Sequence, residues 1–344
     1  MKALILTEYN KMVYTDAEKP RVVGSRDLLI KIKAAAICGS DVHGYDGSTG
    51  RRIPPLIMGH EASGVVEEAG SGVKDFKPGD RITFDSTIYC GTCRFCREGR
   101  VNLCDNRRVL GVSCDEYSRD GVFAEYVVIP DHIAYPIPGE TSFHQAALTE
   151  PAAVAAHAVR ISPMSLNETT AVIGTGLIGL LIIQVLHAVN SGVIVAVDTD
   201  DNRLEMARKM GADIIINPSK HDPMTVLAEK GLAGGVDLTL EAVGTTPTIQ
   251  TAVDMTRKGG AITLVGNIQP QIQLPLQKIV TREIRFSGSC AIAGEYPLVL
   301  DMMARNKLDV NSLISAVAPL SEGDHWFKRL YAREAGLLKV VLEP

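Results

Sequence analysis

Four cysteines, Cys90, Cys93, Cys96 and Cys104, lie in the run CGTCRFCREGRVNLC. Thiolates two residues apart in a tight, glycine-containing turn can converge on one small cation, and the fourth closes a tetrahedron. The spacing therefore predicts a structural Zn²⁺ held by four sulfurs. Bacterial iron–sulfur motifs also begin C-x2-C-x2-C, but they close with a nearer cysteine followed by proline. Here Cys104 stands further along and Asp105 follows it. A closed site of this kind does no chemistry, so reactive groups have to be sought elsewhere.

Cys38 in AICGSDVH, His60 and Glu61 in MGHEA, and Glu150 in Thr149-Glu150-Pro151 supply a thiolate, an imidazole and two carboxylates from separate segments. A catalytic zinc takes about three protein ligands and keeps one position open. A second zinc is therefore expected, two per chain. Taken singly, each residue also has an ordinary reading: Cys38 as a small buried thiol, His60 as a satisfied core histidine, and Glu61 and Glu150 as surface acids.

A third cluster points to a dinucleotide. The apolar run Ala171-Val172-Ile173 leads directly into Gly174-Thr175-Gly176-Leu177-Ile178-Gly179 and then into an apolar helical segment. In a G-x-G-x-x-G after a strand, the first glycine permits the turn, the second lets backbone approach a pyrophosphate, and the third lets helix pack on strand. About twenty residues further on, Asp198 ends another apolar run, where a carboxylate can accept hydrogen bonds from ribose hydroxyls. This favours NAD over NADP, although Arg203 just past the acid would tolerate a 2′-phosphate. The alternative is an ordinary tight turn, with Asp198 as a helix cap.

The elements that must position these groups differ along the chain. Short β-like runs, Leu28 to Ala34, Ala62 to Glu67, Arg81 to Phe84 and Phe123 to Ile129, are separated by turns such as Lys77-Pro78-Gly79-Asp80. They predict a small irregular β-barrel. From Thr169 onward, apolar runs alternate with helical spacing, Leu177 to Ala188 and Asn202 to Met210 among them, which predicts βαβ units and a six-stranded parallel sheet. The last segment offers one helix, Tyr296 to Arg305, and a closing strand, Leu337 to Leu342, too little for a core of its own. The expected organisation is 1–155 with a cysteine lobe at about 88–108, a nucleotide domain 156–287, and a return to the first domain over 288–344.

Taken together, these motifs give a chain that resembles the zinc-dependent medium-chain dehydrogenases, through CGSDVH, GHEASGVV, KPGDRI, the four-cysteine lobe, GVFAEYVV, TEP, GTGLIG and AGEYPLVL. Within them it is similar to the polyol branch, the sorbitol (L-iditol) dehydrogenases. The glutamate of TEP stands where the alcohol dehydrogenases proper carry a cysteine. The resemblance implies an α/β plus β architecture, a GroES-like catalytic barrel with a Rossmann domain, and a homotetramer or homodimer. It implies that Cys38, His60, Glu61 and Glu150 hold or approach the catalytic zinc, and that Ser40 and His43 relay the proton released when a secondary alcohol is oxidised and hydride passes to NAD. Neighbouring activities on sugar phosphates, sugar acids, cyclitols or threonine stay open. So do two other classes, a zinc-independent quinone reductase and a non-enzymatic NAD(H)-binding sensor.

Bulk properties agree with a small-molecule enzyme. The 344 residues suit about two domains, and a net charge of -5 gives no footprint for nucleic acid or an anionic membrane. Seven cysteines, four of them in one short segment, suit metal ligation in a reducing compartment, so a cytoplasmic location is expected. The N-terminal run is too short for a signal-peptide core, and the most apolar stretch, Ala171 to Leu186, is interrupted by Gly174, Thr175, Gly176, Gly179 and Gln184. In the loop Gly44 to Arg52, Arg51 and Arg52 could receive an anionic end of a substrate, since guanidinium groups bind such ends in bidentate fashion. A solvated loop is the simpler reading.

Overall fold

A computed structural model describes residues 1–114, 117–189 and 192–344. The chain divides into two compact units, Met1–Glu150 with Ile292–Arg305 and Val310–Pro344, and Pro151–Ala291 with Asn306–Asp309.

The first unit is organised by the strand Asp27–Ala36. Its burial alternates over Ile30 to Ala34 and is continuous at Leu28 to Ile30 and again at Ala34, Ala35 and Ala36, as expected for a strand covered on both faces at its ends. It pairs antiparallel with Glu61–Ala69, with Tyr126–Pro130 and with the closing strand Lys339–Glu343, inside a seven-stranded sheet. A separate three-stranded sheet joins Lys11–Asp16, Lys2–Glu8 and Leu56–Ile57. Leu4, Ile30, Ile32, Phe84, Phe123 and Phe327 belong to the core between them. Two pairings bring three strand ends together: Ala36 lies opposite Glu61, and Val341 opposite Ala36.

The second unit carries six parallel strands in the order Ile214–Ile216, Ile194–Val197, Thr170–Ile173, Val236–Glu241, Thr256–Leu264 and Arg285–Gly288. This is a doubly wound sheet, a Rossmann fold, whose strand order reverses beside Thr170–Ile173. The helix Leu177–Ala188 begins at that point, almost wholly buried beyond its first turn. Asn306–Asp309 joins this unit because Gln184 donates to the Asp309 carbonyl at 3.1 Å and accepts from the Asp309 amide at 2.6 Å. Among the described residues no helix is long and apolar enough to cross a membrane.

The C-terminal segment holds more structure than its sequence suggests. Besides the helix Tyr296–Ala304 and the closing strand, it forms a strand Ile314–Pro319 and a helix Gly323–Tyr331. That helix is amphipathic, with Asp324, Lys328 and Arg329 set among Trp326, Phe327, Leu330 and Tyr331, and Phe327 is fully buried. Its ring lies 5.7 Å from that of Phe123 and 5.6 Å from that of Tyr45. Tyr331 also donates to Asp46 at 2.8 Å, so the helix braces the loop after Gly44. Phe327→Ala should therefore destabilise this unit by about 3–5 kcal/mol, read as a lowered urea midpoint, whereas a change under about 0.5 kcal/mol would mark the helix as peripheral.

Candidate active site and metal centres

Strand register assembles the first constellation. Because Ala36 faces Glu61, Cys38 just beyond one strand and His60 just before the other come to the same end of the sheet. The bond from Ile37 N to Val340 O, 2.9 Å, brings the closing strand alongside. Ligand atoms of Cys38, His60 and Glu61 all lie within 4.8 Å of one another. Glu150, in the first turn of the helix Thr149–Ile161, is buried but falls outside that group, and Ser86 Oγ donates to it at 3.4 Å.

Each charged member has a buried counterpart. Lys339 Nζ bridges both oxygens of Glu61 at 2.9 and 2.7 Å and also donates to the Ile37 carbonyl. Burial pulls the lysine down, but the Glu61 carboxylate overrides this and holds it above its usual range. Asp41 is fully buried; its Oδ1 lies 3.3 Å from His60 Nδ1 and accepts a 2.9 Å bond from Arg52. The His60 contact is within ion-pair distance but off hydrogen-bond geometry. Burial alone would raise the Asp41 carboxyl, and the charges of His60 and Arg52 hold it far below the carboxylate range instead. With Nδ1 turned to Asp41, the other ring nitrogen, Nε2, is the one 3.5 Å from Ser40 Oγ, on the Cys38 side. An imidazole that turns one nitrogen to a carboxylate and presents the other toward a cysteine sulfur has the arrangement of a metal ligand. The donor set fits zinc.

Ser40 opens the short helix Gly39–Gly44, for which Cys38 is the N-cap. The Ser40 amide and hydroxyl donate to Cys38 Sγ at 3.5 and 3.3 Å, and the Cys38 amide donates to Asp41 at 3.4 Å. His43 stands exposed in the last turn of that helix. Of the two loop arginines, Arg51 is exposed, whereas Arg52 is only 4 % exposed and engaged with Asp41. This corrects both sequence readings of Arg52, as a solvated loop residue and as a receptor for an anionic substrate end.

In the cysteine lobe the sulfurs of Cys90, Cys93, Cys96 and Cys104 converge within 4.8 Å. Bonds from Thr92 pull the Cys90 thiol down, backbone bonds from Cys96 and Asp105 do the same for Cys93, and burial pushes Cys96 up. Amides of Cys90 and Asn106 donate to Cys104 at 3.3 and 3.4 Å. A ring of N–H donors around four sulfurs favours thiolate charge, which a cation there would neutralise.

The glycine loop of the second unit fits a dinucleotide. Gly174 has φ +88°, and a Cβ on Gly179 would meet the Gly174 carbonyl at 1.8 Å, whereas one on Gly176 would meet nothing within 4 Å. The turn is thus closed on its protein side and open at Gly176, the N-cap of the helix Leu177–Ala188, where amides can meet phosphate. Leu177 and Ile178 form the partly exposed first turn. Asp198 Oδ2 accepts from the Thr175 amide at 2.7 Å and hydroxyl at 3.1 Å, so it ties the loop to the neighbouring strand as well as ending it. Arg203 is exposed on the helix Asp201–Lys209.

Motif and spacing gave no role to Asp41, Lys339 or Thr175, and none of this kind to Arg52. Only Asp41 had a local signal, its place three residues after Cys38 in a capping box. Lys339 is 278 residues from its partner Glu61, and nothing local announces it.

Barrel, doubly wound sheet and these two thiolate-containing clusters define an alcohol dehydrogenase of the medium-chain type. Residues 24–139 match the alcohol dehydrogenase GroES-like domain, and residues 178–305 match the zinc-binding dehydrogenase domain. The chain is 32% identical over 340 residues to D-arabitol-phosphate dehydrogenase of Enterococcus avium, covering 97% of this chain and 94% of that protein. It is 31% identical over 338 residues to D-xylulose reductase A of Aspergillus oryzae, covering 96% and 93%. A structure described as a zinc-binding dehydrogenase of Sinorhizobium meliloti 1021, bound to NADP, superposes with TM-score 0.91 at 32% identity, covering 100% of this chain and 99% of that one. The chain belongs to the zinc-binding dehydrogenase family, with polyol and sugar-phosphate dehydrogenases among its relatives.

Near the first cluster, burial pushes Asp85 up to about 7 against the bond it accepts from the Thr87 amide. The folded chain therefore keeps a proton that the unfolded chain releases near pH 4. Stability should fall as pH rises from about 4 to about 7, by up to about 1.4 kcal/mol per unit from this group. Asp85→Asn, which can still accept from Thr87, should flatten the pH dependence of the unfolding midpoint over that range; an unchanged slope would contradict the assignment.

Proposed function

We propose that this protein oxidises a secondary alcohol of a polyol or sugar derivative to the ketone, reversibly, with NAD as hydride acceptor and two zinc ions per chain. The observation that carries the reading is the convergence of Cys38, His60 and Glu61 in a chain that also holds a dinucleotide loop. Cys38, His60 and Glu61 hold the catalytic ion, Glu150 is the second carboxylate of that site, and Cys90, Cys93, Cys96 and Cys104 hold the structural one. When bound, the catalytic metal supplies Lewis-acid polarisation and the nicotinamide a place for the hydride.

The chain's own residues do the rest. The Asp41 carboxylate, 3.3 Å from His60 Nδ1, favours a proton on that nitrogen, and burial excludes water from Asp41, Glu61 and Lys339. Ser40 Oγ receives the proton of the substrate hydroxyl as it hands on its own. His43, three residues along the same helix face, is exposed and passes the proton to solvent. Gly174, Gly176, Leu177, Ile178 and Gly179 bind the pyrophosphate. Asp198 faces the adenosine ribose and disfavours a 2′-phosphate, with Arg203 beside it.

A cytoplasmic homo-oligomer is the setting we infer. Exposed Leu276 and Val280 lie on the helix Leu276–Thr281 that leads into the edge strand Arg285–Gly288, and apolar side chains beside an open edge favour pairing with a second copy.

The test is a panel of polyols, aldonates and sugar phosphates offered with NAD and with NADP, read at the absorbance of the reduced nicotinamide. Turnover with at least one polyol-derived substrate, faster with NAD, is expected; no turnover across the panel would overturn the reading. On the best substrate, Ser40→Ala should lower kcat by about 10²-fold or more with zinc content and NAD affinity unchanged. Unchanged turnover would remove Ser40 from the relay.

A further inference from the structure

We propose that Arg52 is a positioning residue of the catalytic centre, one guanidinium that sets both the carboxylate behind His60 and the hydroxyl of Ser40. The inference rests on the dehydrogenase reading and adds a residue to which neither the motifs nor the family match assigns a role.

Four independent features place it. First, Arg52 Nη2 donates to Asp41 Oδ1 at 2.9 Å, and that same oxygen lies 3.3 Å from His60 Nδ1. The guanidinium and the imidazole thus share one acceptor atom, so where the arginine holds the carboxylate decides where His60 is aimed. Second, Nη2 also donates to Ser40 Oγ at 3.3 Å. A hydroxyl that accepts from an obligate donor points its own proton elsewhere, in this structure toward Cys38 Sγ at 3.3 Å, and keeps a second lone pair for the proton of a substrate hydroxyl. Third, the backbone on both sides of Arg52 is pinned by Ser113: its amide donates to the Arg51 carbonyl at 3.0 Å, and its hydroxyl accepts from Ile53 N at 2.7 Å. Fourth, the side chain runs over Gly44, where a Cβ would come within 2.7 Å of Arg52 Cγ. The path exists because residue 44 has no side chain.

Another nitrogen of the head group, Nε, is buried without a hydrogen-bond partner. The guanidinium is therefore aimed by its Nη2 bonds to Asp41 and Ser40, not by a bond through Nε. A buried ion pair contributes little net stability over an apolar pair of similar volume, so this one is better explained by position than by stability. Lysine could supply the charge, but its compact ammonium is more strongly hydrated and sits on a shorter, flexible stem, so it is harder to hold buried between the two acceptors.

The experiment compares the zinc-loaded wild type with Arg52→Ala, Arg52→Lys and Gly44→Ala, each first shown by thermal unfolding to be folded. Two readouts are taken: competition of the more weakly held zinc against a chelator, and kcat and KM on the best substrate of the panel. Arg52→Ala should loosen that zinc and lower kcat, each by about 10–100-fold, with KM changed by less than about threefold. Added methylguanidinium should restore part of kcat, methylammonium should not, and Arg52→Lys should stay impaired. Gly44→Ala, which keeps every polar group but obstructs the path of the arginine, should show the same defects in smaller measure, and it decides the matter if Arg52→Ala does not fold. Wild-type zinc affinity and kcat in the folded variants would overturn the proposal, as would a loss in Arg52→Ala that methylguanidinium and methylammonium relieve equally. If the wild type turned over nothing in the panel, the dehydrogenase reading would fail, while the zinc competition would still decide the role of Arg52.

Discussion

The pairing of Ala36 with Glu61 is the constraint on which the rest depends. Two antiparallel strands end their ladder where one chain runs on into Cys38 and the other arrives from His60, so the ligands are placed by backbone hydrogen bonds rather than by the flexibility of loops. A slip of one residue would turn the side chains of one strand to the opposite face and separate them. The third strand, Lys339–Glu343, enters on the same register through Val341 and Ala36 and brings Lys339 onto Glu61. The proposed catalytic site is thus tied to a largely buried strand of the barrel sheet, whose apolar residues Ile30, Ile32 and Ala35 lie in its core.

Burial makes this arrangement electrostatically demanding. Asp41, Arg52, His60, Glu61, Glu150 and Lys339 are all less than a tenth exposed. Charges removed from water at that depth have to be matched nearby. Lys339 offsets the charge of Glu61 and Arg52 that of Asp41, while the ligand atoms of Cys38, His60 and Glu61 stay close enough together to share a further cation, with Glu150 as an additional buried acid. Burial raises Glu150 to about 7, Glu61 and Asp85 adding to the effect while His60 opposes it. A divalent ion would relieve the crowding of acids and displace protons from its ligands, so metal binding and protonation are linked in this centre.

Much of this was legible in the sequence where the chemistry is local. The cysteine lobe closes within fifteen residues, Cys90 to Cys104, and the glycine loop within six, Gly174 to Gly179; in both, the spacing itself encodes the geometry. Inner strands of the parallel sheet such as Thr170–Ile173 and Ile194–Val197 were readable because strands buried on both faces give continuous apolar runs, and the helix Leu177–Ala188 has the ends its sequence predicts. What escaped was non-local. Lys339 meets Glu61 only through the sheet, Arg52 reads as loop because its burial depends on Gly44 and Asp41, and the helix Gly323–Tyr331 is short and mixes charged with apolar residues around one fully buried aromatic anchor, Phe327.

The central claim is that strand register builds a metal site from Cys38, His60 and Glu61, separate from the four-sulfur lobe. Anomalous diffraction from crystals of the purified protein, recorded on both sides of the zinc absorption edge, tests it most directly. The account predicts two zinc peaks per chain, one among Cys90, Cys93, Cys96 and Cys104 and one bounded by Cys38 and His60. A peak at the four sulfurs with none at Cys38 and His60 would contradict it.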